Sequence, residues 1–193
     1  MLQIILIRPG STDYDVQRRI QGTLDVPLND QGAMEVAQMI EELRGQPIEL
    51  IYSPDCEPAM QTARAISDAL GVKLKKLDHM ENLDQGLWQG VLIDEVRVKQ
   101  PRVYRQWQER PEAVCPPEGE MVGEADERIR AAIARLEKRH KEGAVGLVLP
   151  EPLASLLRRQ LCQCELGDLW KATEEHGRWE VLELGPKPLV HST

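Results

Sequence analysis

The chain has 193 residues, 41% of them apolar, and a formal net charge of −8. That length and mixture suit one globular domain with a sizeable core and exclude the apolar-poor make-up of a disordered chain. The acidic balance argues against nonspecific binding to nucleic acid or to an anionic membrane surface.

Residues 2–7 (Leu-Gln-Ile-Ile-Leu-Ile) form the apolar run of a strand buried on both faces, and the run breaks at Arg8, Pro9, Gly10, Ser11 and Thr12. Ligands of open α/β sheets sit beyond the carboxyl ends of strands, so this turn is the first candidate site. The strand starts at once, with no signal-peptide layout, and no apolar stretch is long enough to span a bilayer; both point to the cytoplasm.

Asn29 is placed to cap a helix over 30–44, with Ala33, Val36, Ala37, Ile40 and Leu43 at helical spacing and Gly45 as its stop. A second strand is predicted at 49–53, then a helix over 56–70 capped by Asp55 and ended by Gly71, then a short strand at 72–77. This alternation predicts parallel βαβ units.

Residues 84–121 hold a Gly-bounded turn, two short helices and a Pro-rich loop, read as an insertion over the sheet of a single domain spanning 1–193. A long amphipathic helix follows over 122–142, then a buried strand at 145–149 and a helix opened by Pro152 and running to Cys162. Residues 171–184 read as a hairpin turning at His176-Gly177, and 185–193 as a loose tail. Of the four cysteines (56, 115, 162 and 164), the close pair Cys162-Gln163-Cys164 lacks metal-ligand or redox spacing, and both are read as ordinary helix residues.

Several blocks together resemble one family. Arg8, Gly10 and Thr12 lead on to Arg18 or Arg19, Gln21-Gly22 and Pro27-Leu28-Asn29. Ile51-Tyr52-Ser53-Pro54-Asp55 precedes Ala59, Gln61, Thr62 and Ala63; Gly86-Leu87-Trp88-Gln89-Gly90 and Pro116-Pro117-Glu118-Gly119-Glu120 follow in order. The set is similar to the histidine phosphatase (phosphoglycerate mutase-like) superfamily over nearly the whole chain. The resemblance implies a three-layer α/β/α sandwich with a mainly parallel sheet. It also implies phosphoryl transfer through a His nucleophile, two Arg and a second His on the phosphate, and a Glu that protonates the leaving oxygen.

The central residues depart from that pattern. The nucleophile aligns with Pro9, the second Arg with Pro58, the acid with Asn82 and the second His with Pro150, which leaves Arg8 alone. Proline cannot take a phosphoryl group and has no N–H to offer a phosphate, and an amide donates no proton at neutral pH. Glu81, one residue from Asn82, would point the other way on an extended segment. Asp15, Glu57 and Glu151 bring carboxylates to the rim, and a carboxylate about 4 Å from a phosphate oxygen repels it by about 4 kcal/mol at a protein-like dielectric.

The expected function is therefore a catalytically inactive pseudoenzyme serving as a binding or regulatory module. The alternative is a phosphomonoester hydrolase rebuilt around Arg8; a third reading is a small-molecule or metal-ion sensor using the acidified pocket. The candidate ligand-binding residues are Arg8, Gly10, Thr12, Arg18 and Glu151, although Arg8 also reads as a structural remnant paired with Asp13, Asp15 or Glu151. Ser11, Thr12 and Ser53 have no evident base beside them, and His79, His140, His176 and His191 follow no core strand. No cofactor or metal is expected. The ligand is a small molecule or a protein rather than nucleic acid or membrane, and a homodimer is open to this fold.

Overall fold

The computed structural model describes residues 1–184; the expected tail at 185–193 lies outside the described residues. Five strands, β1 (Leu2–Ile7), β2 (Ile48–Ser53), β3 (Lys73–Lys76), β4 (Gly143–Val148) and β5 (Trp179–Glu183), make one sheet in the order β3-β2-β4-β1-β5. The first four run parallel, and β5 closes the edge antiparallel to β1. The helices are α1 (Asp13–Gln17), α2 (Asp30–Leu43), α3 (Glu57–Leu70), α4 (Ile93–Lys99), α5 (Pro101–Glu109), α6 (Val122–Arg139), α7 (Leu153–Cys162) and α8 (Leu169–Ala172), with 3-10 turns at Gly86–Trp88 and Pro111–Ala113.

The alternation of side chains along β1 divides the core. Ile5 and Ile7 pack with Val36, Met39 and Leu43 of α2 and with Ala59, Ala63 and Ile66 of α3. Leu2, Ile4 and Leu6 pack on the other face, with α6 and α7. Both faces of the strand are covered, which is why its sequence is apolar without interruption. This is the expected three-layer architecture with a mostly parallel sheet.

The 84–121 segment is anchored by aromatic rings. Trp88 meets Trp107 edge-on at 5.9 Å between centroids, both contact Trp170 of α8, and Tyr104 stacks flat on Trp170 at 5.2 Å. Arg128 of α6 ties the preceding loop down. It pairs with Glu120 at 2.6 Å and donates to the carbonyls of His79, Glu81 and Asn82.

Four local expectations need correction. Residues 171–175 are no strand: Asp168 caps α8 by accepting from the Trp170 N–H, and β5 pairs with β1 instead. Asp55 caps nothing; it pairs with Lys76 at 2.8 Å, and Cys56 stands at the cap position of α3 without a side-chain bond. The long α6 ends at Arg139, and His140 turns out to meet the Tyr52 hydroxyl at 2.9 Å. Cys164 lies beyond α7, which stops where Gln163 takes a left-handed backbone. The helix α1 went unforeseen; it rests on a capping box in which Thr12 and Asp15 satisfy each other's backbone.

All four thiols are free. Burial pushes the Cys56 thiol up to about 12, whereas Cys115 is exposed. Thiolate is the reactive form, so maleimide labelling at pH 8, followed by peptide mass spectrometry, is expected to modify Cys115 first and Cys56 last. No helix among the described residues is long and apolar enough to cross a membrane.

Candidate functional site

The turn after β1 is shaped by close backbone approach. A Cβ on Gly10 would stand 2.4 Å from the Gly32 carbonyl oxygen, so only glycine lets α2 come this near. The Gly10 N–H donates to Thr62 Oγ1 of α3 at 3.2 Å, and Thr12 donates through both N–H and Oγ1 to the Asp15 carboxylate. Pro9 gives the sheet only its carbonyl, which accepts from the Gly177 N–H at 2.7 Å.

Beyond this turn lies a cavity of about 40 Å³. That is room for more than one water but far short of a several-hundred-Å³ ligand pocket. Its wall brings together Pro9, Gly10, Thr12, Pro58, Asn82, Pro150 and Glu151, residues from four separate stretches of sequence. The positions singled out by the sequence do converge.

Arg8 and Arg18 do not join them. Arg8 is 5% exposed and sits behind Glu151. Its Nε donates to Glu151 Oε1 at 2.6 Å and its Nη1 to Glu180 Oε1 at 2.9 Å, with Glu175 at 3.8 Å. Of the three carboxylates considered from sequence, only Glu151 pairs with it. Burial alone would lower the Arg8 pKa, but Glu151 and Glu180 more than offset it and hold the guanidinium above its ordinary value. Burial also pushes the Glu151 carboxyl up, against Arg8 and the Ser155 N–H.

Arg18 takes a left-handed backbone at φ 56°, which turns it outward to an exposed pair with Glu174 at 3.2 Å. Its neighbour Arg19 lines the cavity instead, donating to the Gly90 carbonyl at 2.7 Å and to Gln17 at 2.8 Å.

Asn82 has a structural task. Its Nδ2 donates to the carbonyls of Gly22 and Glu151, and its Oδ1 accepts the Leu83 N–H. Glu81 is exposed and outside the wall. Asp15 is in the wall, its carboxyl pushed up by burial against the hydrogen bonds from Thr12.

Sequence reasoning missed His176 and Glu35. His176 lines the cavity, and its Nδ1 lies 2.9 Å from Glu35 Oε2 of α2. Gly177 makes this placement possible: its φ is +57°, and a Cβ there would stand 2.7 Å from the Glu35 Cβ. The His-Gly pair was a visible turn signal, but nothing in the sequence joins it to a glutamate 141 positions earlier. Burial raises the Glu35 pKa, but the Ser11 N–H, the Gln31 amide and His176 outweigh it and hold the carboxyl below its ordinary value of 4.5.

A depressed carboxyl stabilises the fold above its unfolded pKa and loses that contribution as pH falls through the folded value. Glu35→Gln is therefore expected to be less stable than the wild type at pH 7. The gap should close in urea titrations taken below the ordinary carboxyl range, and a gap that widened on acidification would contradict this assignment. Among the described residues, no group of three or more His, Cys, Asp or Glu is placed to hold a metal ion.

The fold and the converging turn segments define a class. Residues 4–190 match the profile of the Histidine phosphatase superfamily (branch 1), and the chain belongs to that superfamily. Phosphoserine phosphatase 1 of Hydrogenobacter thermophilus is 26% identical over 184 residues, 95% of this chain and 87% of that protein. The protein named Probable phosphoglycerate mutase GpmB of Yersinia pestis is 32% identical over 133 residues, 69% of this chain and 62% of that one. Among solved structures, Bacillus stearothermophilus YhfR matches with a TM-score of 0.83 at 23% identity, over 95% of this chain and 91% of its own. A mycobacterial glucosyl-3-phosphoglycerate phosphatase, complexed with VO3, matches with a TM-score of 0.83 at 24% identity, over 94% and 90%. These two likenesses are of fold.

Proposed function

We propose that the protein is a catalytically inactive histidine phosphatase, a pseudoenzyme retained as a binding or regulatory module. One observation carries the reading. Pro9, Pro58, Asn82 and Pro150 share one cavity wall, at the four positions where the family's nucleophile, second Arg, acid and second His are expected. Arg8, the remaining central group, is engaged by Glu151 and Glu180. Catalytic groups that act as a unit leave little chemistry once most are gone.

A second reading keeps a phosphatase with a rebuilt site near Arg8. What favours it is His176, an imidazole in the wall held by a carboxylate, with Arg19 as the neighbouring cation. The relatives named as a phosphatase and a mutase make that reading worth a direct test.

The test is hydrolysis of an aryl phosphate from roughly pH 4 to 9, the range over which carboxyl and imidazole groups titrate. His176→Ala is the control, because it alters the wall without removing the buried Arg8 pair. Equal, background-level release by both proteins is the expected result. Activity that disappears in His176→Ala would overturn the pseudoenzyme reading in favour of the rebuilt site.

A further inference from the structure

We propose that the recess between the end of β3 and α6 binds a diphosphate group, either free or at the end of a nucleotide. The recess shares no lining residue with the cavity beyond β1 and does not depend on whether that cavity is catalytic.

The recess measures about 330 Å³, within the range of small-molecule sites. It has buried apolar lining: Leu77 just after β3, and Ala132 and Leu136 of α6. Tyr52 of β2, 1% exposed, joins them. The loop that closes it is already held in place. Arg128 donates to the His79 carbonyl at 3.1 Å, and the Leu77 N–H donates to the Ser53 carbonyl at 2.8 Å. A site formed before its ligand arrives loses less to ordering on binding.

The charged lining is cationic in a chain whose net charge is −8. Lys76, Arg135 and Arg139 face a single lining carboxylate, Asp78, and Lys76 is already paired with Asp55. Neither arginine meets a carboxylate among the described residues. Arg135 Nη2 donates to the Asp78 carbonyl at 3.5 Å, and Arg139 Nη1 to the Tyr52 hydroxyl at 3.4 Å. Both acceptors are neutral and both bonds are long, so the side chains are oriented while their charge and most of their N–H groups stay unspent. Two turns earlier on α6, Arg128 spends its charge on Glu120.

His140 records the resulting field. Its Nε2 lies 2.9 Å from the same Tyr52 hydroxyl. Burial first, then Arg139 and Lys75, hold its pKa below the ordinary value against Glu49. Cations already neutralised by carboxylates would not act on the ring in this way.

Two simpler accounts each cover part of the set. Cations at a helix C-terminus complement its dipole, which explains Lys138 and Arg139 in the last turn but not Arg135. Lysines guard an exposed sheet edge, which explains Lys73 and Lys75 of β3 but not the arginines. Residues 135 and 139 are four apart on one helix, so their side chains are neighbours, about 5–6 Å apart at Cβ. Each guanidinium fork suits one phosphoryl group, and the pair suits two linked ones.

The experiment is calorimetric titration of the whole protein at pH 7 with sodium pyrophosphate, ADP and sodium sulfate, free of divalent ions and at matched ionic strength. Saturable binding of pyrophosphate, ADP or both is expected, weakened about tenfold or more in Arg135→Gln and in Arg139→Gln. Lys138→Gln removes the same charge from a residue outside the recess and should bind as the wild type does. Pyrophosphate binding without ADP binding marks the free anion as the ligand, and ADP binding marks the diphosphate of a nucleotide. Three results overturn the proposal: pyrophosphate and ADP heats no different from sulfate, unchanged affinity in both arginine variants, or an equal loss in Lys138→Gln. Circular dichroism checks each variant, and should one arginine variant fail to fold, the other decides.

Discussion

Arg8→Met is expected to lower the unfolding free energy by about 3–5 kcal/mol at pH 7, the range for leaving one partner of a buried ion pair uncompensated. The Arg8 and Glu151 side chains are 6% and 4% exposed. Removing the guanidinium strands a carboxylate away from water and frees Glu180 as well. The loss should shrink as pH falls, because protonating Glu151 removes the stranded charge and burial already raises its pKa. The double variant Arg8→Met with Glu151→Leu is expected to regain most of the loss, since an apolar pair has no charge to desolvate. Urea denaturation at pH 7 and pH 5 reads both effects. A single-variant loss below about 1 kcal/mol would mean that the pair is hydrated and that Arg8 is more available than its geometry implies.

Trp107→Ala should cost a similar amount, about 3–5 kcal/mol, the usual toll of truncating a large buried aromatic side chain. Trp107 is 1% exposed and touches both Trp88 and Trp170. These rings come from the 3-10 turn, α5 and α8, so the cavity left behind would loosen the insertion from the C-terminal part of the chain. The Trp170 Nε1–H, which donates to the Tyr104 carbonyl at 3.0 Å, reports the damage through indole fluorescence. Trp107→Leu, which fills part of the space, should cost less. Equal losses for Ala and Leu would show that the ring geometry matters more than the volume.

Much of the fold was legible because its signals are local. The apolar run of β1, the Asn29 cap of α2 and the left-handed Gly71 that ends α3 sit where pattern and turn chemistry put them. The site was half legible. Pro9, Pro58, Asn82 and Pro150 meet because each follows a strand end or opens a helix at the same side of the sheet. What failed depended on orientation and distance. Arg18 and Arg19 are neighbours in sequence, and one left-handed residue decides which of them reaches the cavity. Arg8 reads as a ligand-binding candidate or a partner of a nearby carboxylate, and only the fold shows that Glu180, 172 positions later, joins Glu151 in engaging it. The closing hairpin was misread because the turn signal at His176-Gly177 is real while its partner strand is β1 rather than the residues just before the turn.

The position of β1 in the sheet has a consequence for the life of the nascent chain. Its two neighbours are β4, beginning at Gly143, and β5, ending at Glu183. Once made, this apolar segment therefore waits for well over a hundred residues before either hydrogen-bonding edge is met. At ordinary elongation rates that wait is on the order of ten seconds. During it, β1 is an unpaired strand of the kind that chaperones hold and aggregates recruit. The sheet cannot close until β5 has been made, so its strands cannot assemble in the order in which they are synthesised.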